Sequence, residues 1–470
     1  NFITIPAASK VKYYASAEIV ERIRRVTLRQ QRARIQACDI GQFVEFLLHW
    51  QNCTEETKLS GIDGIIAVVE KLQGLSLSAE MWESEIFARR IHDYHPNMMD
   101  ELCRQGEIVW YGIPTGSGST ENLAFSFRED FPFFRKFAAP RFPDQHQEIF
   151  TAARNAIHKI GACFISDLSL ETGLPPSVCA AALWEMIWLG EVTNDTFAVI
   201  RAGKPSFSLH DRSDATTRET IHRRYGRTHR FRPVPGSGRW SLLPVAKDEN
   251  IAQPGIIEIL ARQLLLRYGM ICREIYELES WQIPWREIYE TLVRLEWRGE
   301  IRRGYFVKGF SGMQFALPQA ADELMAFHQT APGYSIGQNS DQMILINSCD
   351  PANFYGAASP LPVLHPMNSE WRLLRHPNNY LILKRGIPIL AIEAKGARLT
   401  PLHDLSNDEL RDALNLLPRL LHDPAGWRRI RSIKVELWNG QAVRNSEVAD
   451  YLKEIGFRDE FKVMVLEREF

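Results

Sequence analysis

The sequence lacks most of what would mark a secreted, membrane-spanning or metal-dependent protein. Its seven cysteines, Cys38, Cys53, Cys103, Cys163, Cys179, Cys272 and Cys349, are scattered singly, with no CxxC pair. An odd, unpaired set argues against a disulfide framework and against a zinc site, and it favours a reducing compartment, read here as the cytoplasm. No run of about eighteen apolar residues occurs, so no membrane span is expected. Charge of one sign is also missing: 56 Lys and Arg against 57 Asp and Glu give a formal net charge of -1. With no global field to attract DNA, any nucleic-acid surface must come from local clustering of Arg and Lys. The glycines Gly116 and Gly118 are followed by no Lys-Ser or Lys-Thr and by a strand-like return, so they read as a hairpin tip and not as a phosphate cradle. No motor motif, metal-ligand spacing or nucleophile motif is found, so no cofactor and no metal are expected. The chain opens on Asn1 with neither an initiator Met nor a signal pattern, which suggests a piece of something longer.

What is present is a recurrence. At 470 residues and 54.0 kDa the chain is long enough for three or four domains. Three times an apolar-periodic segment ends in Gly-Glu and an alternating run follows: at Gly106-Glu107, at Gly190-Glu191 and at Gly299-Glu300. Each reads as an amphipathic helix stopped by a left-handed Gly, then a strand entering a hairpin, which is the end of a winged helix. Upstream of the second copy, Ile165 to Leu170 predicts a short helix, and Ser177 is placed to cap the helix from Val178 to Leu189. In the third copy Ala261 to Tyr268, Cys272 to Leu278 and a helix opening at Pro284 supply the three helices. The wings turn through 112–120 and through Lys308 to Gly312. Trp50, Trp82, Trp110, Trp184, Trp188 and Trp297 stand at helical spacing and are expected in the core more than as stacking platforms.

Two regions depart from the repeat. From about Arg201 to Trp240 the chain is at its most basic, with Arg212, Arg218, Arg223, Arg224, Arg227, Arg230 and Arg232, and reads as an irregular arm that either tracks phosphates or is a solvated linker. Beyond Pro318, the strand-like runs Tyr380 to Lys384, Ile389 to Glu393 and Ile433 to Trp438 surround one helix, Asn407 to Leu421.

Several segments resemble a known family. They are Gln51 after Trp50, Leu72-Gln73-Gly74, Glu83 to Ile86, Gly190 to Asp195, Gly238 to Pro244, Arg302 to Pro318 and Asp350 to Ala357. Together they resemble the C-terminal region of the large helicase-related (Lhr) family of bacterial DNA-repair helicases, in order over nearly the whole chain. The resemblance implies tandem winged helices followed by a β-barrel module. It also implies a superfamily 2 helicase motor in a parent protein, to which ATP and Mg would be confined. The array is similar to AlkZ-type DNA glycosylases, and the family is associated with uracil-DNA glycosylase activity. The AlkZ pattern of Gln, an apolar residue, then Gln or Asp is matched by Gln73 only at its first position, because Leu75 stands at the last.

The fold class expected is therefore α+β, tandem winged-helix modules followed by a β-barrel-like C-terminal domain. The units expected are 1–22 (the tail of a preceding winged helix), 23–140, 141–245 with the basic linker, 246–325, and a β-rich domain at 326–470. A metal-free glycosylase needs a carboxylate or amide to orient water beside a flipped base. Asp350, Glu393 and Gln73 are the candidates, Asp350 and Glu393 having turn capping and a surface ion pair as alternative roles, and Glu85 and Asp195 rank behind them. Arg223, Arg224, Arg227, Arg230, Arg302, Arg303 and Lys308 are the expected DNA contacts. The partners expected are DNA, preferably single-stranded, and an N-terminal helicase motor in the parent protein, with no membrane and with an oligomer compatible. Two alternatives stand beside excision of uracil: a non-catalytic clamp or assembly module supporting the motor, and a winged-helix transcription regulator. The regulator is disfavoured by recognition helices rich in Trp, Leu and Ile.

Overall fold

The computed structural model describes residues 2–5, 13–33, 35–113, 121–135, 147–205, 209, 238–244, 253–329, 342–356, 371–427 and 431–468. Each of the three recurrences closes on a small sheet of one topology. In the first, Leu77–Ser78 and Ile108–Ile113 both pair with Asn122–Phe127, which lies between them. In the third, Met270–Ile271 and Arg302–Gly304 flank Gln314–Ala316 in the same order. In the second, Val192–Asn194 pairs with Trp240–Leu242, and an isolated bridge from Cys163 to Trp240 stands where the first strand would be.

The helix stops are those the Gly-Glu pairs predict. Gly106 (φ 81°) and Gly299 (φ 80°) cap the helices Pro96–Gln105 and Trp285–Arg298 in the left-handed region, where a Cβ is unfavourable. The starts differ more. Ser177 does not cap: the helix runs Pro176–Trp188 with Pro175 at its N-cap, because a proline at the first helical position lacks an N–H to be satisfied. The helix expected from Ala261 runs Gln253–Tyr268. The wing tip at 114–120 and the arm residues Arg212, Arg218, Arg223, Arg224, Arg227, Arg230 and Arg232 lie outside the described residues.

The opening helix of the first module joins it to its neighbours. The apolar helix Ile40–Trp50 lies between the third module and the C-terminal region: Phe43 meets Phe310 of the third wing at 5.9 Å and Phe354 at 5.6 Å between ring centroids. The wing is anchored there by the backbone, Cys38 N–H donating to Phe306 O (2.8 Å) and Lys308 N–H to Cys38 O (2.9 Å). One hydrophobic core therefore runs through this helix, one face of the first module's sheet (Val109, Tyr111, Ala124), the third module and Ile346 to Leu402, while a second unites the rest of the first module with the second.

The C-terminal region is α+β, but among the described residues it forms no closed barrel. Six strands, Met343–Asn347, Tyr380–Lys384, Ile387–Glu393, Arg398–Pro401, Leu437–Trp438 and Gln441–Ala442, make an open sheet in that order. A separate sheet holds Ser432–Val435, Val463–Glu467 and Arg458–Glu460. The run Ile433 to Trp438, which alternates as one strand, divides between the two sheets. Glu436 and Leu437 both donate their N–H to Ala397 O (2.8 and 3.1 Å), which takes the chain out of one ladder and into the other. No helix among the described residues is long and apolar enough to cross a membrane.

Candidate functional site

The first module contains a helical segment at 79–90 whose middle, Trp82–Phe87, is a π-helix. An amphipathic α-helix leaves one face to water, yet all six residues of Trp-Glu-Ser-Glu-Ile-Phe are buried. The segment is enclosed by its own module, by the second module and by the C-terminal region: Glu83 bonds to all three, Ser84 and Glu85 to the C-terminal region. π-helical turns are uncommon and recur at functional sites.

Glu83 is fully buried and accepts from Tyr94 Oη (2.8 Å), Trp427 Nε1 (2.6 Å) and Arg201 Nε and Nη2 (both 2.9 Å). Arg201 also donates to Asp100 Oδ2 (2.7 Å), whose other oxygen accepts from the Phe197 and Ala198 amides. Ser84 donates to Asp423 Oδ1 at 3.2 Å. Glu85, 1% exposed, accepts from Tyr380 Oη at 2.9 Å and is 3.4 Å from Arg89 Nη2. Arg90 closes the segment with a bidentate pair to Asp350 (2.9 and 2.8 Å) and a third bond to Gln51 Oε1 (3.0 Å).

Beside Glu85 lies a cavity of about 480 Å³ between the first module and the C-terminal region. Lys58, Glu85, Arg89 and His92 line it from one side and Tyr380 and His422 from the other, with Met343 and Leu345 among its apolar walls. Its chemistry is that of a carboxylate held by a phenol among charges of both signs, Glu55 and Asp93 with Lys58, Arg89 and Arg419. Burial, then the charges of Arg468, Lys58 and Arg89 outweighing Asp423, lowers the pKa of His422, which favours the neutral imidazole. Burial pushes the Cys53 thiol, also on the lining, up to about 12, which removes a thiolate nucleophile from the site.

The residues singled out from sequence are dispersed. Asp350 is fully buried and does not line the cavity: both its oxygens accept from Arg90, and Oδ1 also accepts from the Ala352 amide (2.8 Å). Burial alone would raise its carboxyl pKa, but the Arg90 guanidinium outweighs that and holds it below the usual carboxylate range. Glu393 ends the strand Ile387–Glu393, 3.7 Å from Arg398 Nη2, with Trp371 Nε1 at 3.5 Å. Gln73 is buried at the end of the helix Gly61–Leu72, where Oε1 accepts from the Phe127 amide (3.0 Å) and the backbone carbonyl accepts from Arg267. Neither Glu393 nor Gln73 lines the cavity. Asp195 accepts from the Arg239 amide (2.7 Å) and side chain (2.8 Å).

Of the expected DNA contacts, Arg302 pairs with Asp322, Arg303 with Glu296 (3.1 Å) and Lys308 with Asp39 (3.0 Å). Arg223, Arg224, Arg227 and Arg230 lie outside the described residues. Sequence reasoning ranked Glu85 low and passed over Tyr380, Arg89 and the cavity. The one local signal was the unbroken acidic-apolar run Trp82 to Phe87, which suits no single amphipathic face.

Residues 39–128 and 253–336 match two family models, each described as a winged-helix domain of large helicase-related protein, the third and the fourth respectively. The chain is 30% identical over 451 residues to the "Lhr helicase/ probable uracil glycosylase" of Mycolicibacterium smegmatis, covering 93% of this chain and 28% of that protein. It is 29% identical over 389 residues to the "Lhr helicase/uracil glycosylase" of Escherichia coli, covering 75% of this chain and 24% of that protein. The chain thus spans about a quarter of the length of the curated relatives it matches. Among solved structures, the Streptomyces sahachiroi DNA glycosylase AlkZ is similar with a TM-score of 0.46 and 12% identity, over 82% of this chain and 97% of that one. Residues 39–128 and 253–336 are winged-helix domains of the large helicase-related kind, and the chain that carries them is similar, over 93% of its length, to a part of an Lhr protein.

Proposed function

We propose that this chain is the DNA-binding region of an Lhr-type repair protein, that it grips single-stranded or unwound DNA, and that it excises uracil by hydrolysis. The observation that carries this reading is the collinear similarity, over 93% of the chain, to a protein named helicase and probable uracil glycosylase. The three modules of one topology support it, since a winged helix is built to present a helix and a hairpin to a nucleic-acid backbone. The cavity supports it further, because a polar lining that includes Lys58, Arg89 and Arg419 beside apolar walls suits a nucleotide. On this reading the basic arm, with Arg223 and Arg224, and the outer face of the third module, with Arg302, Arg303 and Lys308, follow the phosphates.

A second reading is a clamp without chemistry. It is favoured by one observation: Glu83, Asp100 and Asp350 are engaged in buried ion pairs that lock modules together. The two readings separate in one experiment. The purified chain is incubated in EDTA with a labelled single-stranded oligonucleotide bearing one uracil, then treated with alkali. Cleavage at the uracil supports excision, and binding without cleavage supports the clamp. In the same assay, Arg223→Ala with Arg224→Ala weakens binding for all sequences and lowers the salt slope, by roughly one unit of log K per log[salt] for each phosphate no longer neutralised. An unchanged slope removes the arm from the DNA surface.

A further inference from the structure

We propose that the cavity between the first module and the C-terminal region receives one extruded pyrimidine nucleotide of the bound strand, and that Glu85 is the carboxylate that orients the attacking water. This rests on the base-excision reading above and gives it a site. Three features select this cavity. Its volume, about 480 Å³, falls within the usual range for small-ligand pockets, roughly 300 to 1,000 Å³. Its lining sets the cations Lys58, Arg89 and Arg419 beside the carboxylates Glu55, Glu85 and Asp93, with Arg89 3.4 Å from Glu85, so a phosphate that engages a cation here lies close to the 1%-exposed Glu85. And its two walls come from separate parts of the chain, residues 53–94 and 342–422, so it is a cleft between two units and not a void within one core.

The chemistry balances as a hydrolysis. Water oxygen forms a bond to C1′ as the C1′–N1 bond breaks. The electron pair leaves with N1 of the base, and the water proton passes to Glu85 Oε2 and then to solvent, from which the departing base anion is protonated. Tyr380, donating to Glu85 Oε1 at 2.9 Å, is a positioning residue: it fixes the carboxylate and leaves Oε2 toward Arg89. The charge that grows on the sugar in the transition state is then met by a fixed carboxylate in a site partly closed to water, where such preorganisation is most effective.

The test uses the full 470-residue chain in two arms. In the first, single-turnover excision of uracil is measured for Glu85→Gln and Tyr380→Phe, with melting curves to confirm folding. Glu85→Gln lowers the rate by about 100-fold or more, the usual effect of removing a general base. Tyr380→Phe lowers it by about tenfold and shifts the pH profile, while oligonucleotide affinity stays within about twofold for both. A wild-type rate in a folded Glu85→Gln protein overturns the assignment and leaves the excision reading standing. In the second arm, an oligonucleotide carrying one 5-iodouracil is photo-crosslinked and the modified peptide mapped. Attachment within 91–94 or at Tyr380 is expected. If the wild type excises nothing, the excision reading falls, and the crosslink alone decides whether a base enters this cavity. Crosslinks confined to other surfaces overturn it.

Discussion

Arg90 and Asp350 illustrate how a buried charge is tolerated. Each is at most 1% exposed, each is the other's main partner, and Gln51 and the Ala352 amide add one further bond to each. Such a pair adds little over a well-packed apolar one, but breaking it leaves a buried charge alone, at a cost of about 3–5 kcal/mol. Asp350→Asn therefore lowers the melting temperature sharply, and Arg90→Met alone does the same. The pH dependence has a definite sign. The folded carboxyl pKa lies below the unfolded value, so the pair contributes stability above pH 3.8 that is lost as the pH falls through the folded pKa. Wild type should lose stability over that acid range more steeply than Asp350→Asn in urea titrations, and equal slopes would refute the assignment.

At the scale of elements, the joints between units are made by backbone held at close quarters. The hairpin joining Tyr380–Lys384 to Ile387–Glu393 turns at Arg385 (φ 50°) and Gly386 (φ 69°), and it rests on the helix Ile40–Trp50. A Cβ at Gly386 would stand 1.9 Å from Gly41 O, and Gly386 O already accepts from Tyr355 Oη at 2.9 Å. Gly386→Ala is thus strained in φ and sterically blocked, and should cost well over about 1 kcal/mol. Chemical denaturation measures this directly, and a neutral result would mean that the hairpin lifts off the helix without penalty. The π-helical stretch makes the same point with side chains, since Glu83 bonds to Arg201 of the second module while Ser84 and Glu85 bond to Asp423 and Tyr380 of the C-terminal region.

Across the molecule, two large cores cross the module boundaries. The first unites the helix Ile40–Trp50, one face of the first module's sheet, the third module and part of the C-terminal sheet, and the second unites the rest of module one with module two. Between them runs the Arg90–Asp350 ion pair, and within the second Glu83 ties Arg201 of module two and Trp427 of the C-terminal region to module one. Units sharing a core do not unfold independently. The chain should melt in a single calorimetric transition, and Trp427→Phe should lower its midpoint without splitting it. Two well-separated transitions in the wild type would show the modules to be beads on a string.

The local features of the fold were legible in the sequence because they arise from neighbouring residues. The Gly-Glu stops at Gly106 and Gly299 rest on a left-handed φ that glycine adopts at low cost, and the strands after them on period-two alternation. The winged helices and their order followed from that local code, as did the burial of Trp82 and Trp110. The closing domain was legible as α+β but not as an open sheet, because closure depends on which edges meet, and Glu436 sends one apparent strand into two sheets. What only the tertiary structure decided is which carboxylate faces a cavity. Asp350 and Glu85 look alike as acidic residues in quotable motifs, yet Arg90, 260 positions away from Asp350, takes both oxygens of one, while Tyr380, 295 positions from Glu85, holds the other at the wall of a cavity. Helix stops and alternation are set by neighbours along the chain; the pairing of a buried charge is set by whatever the fold brings beside it.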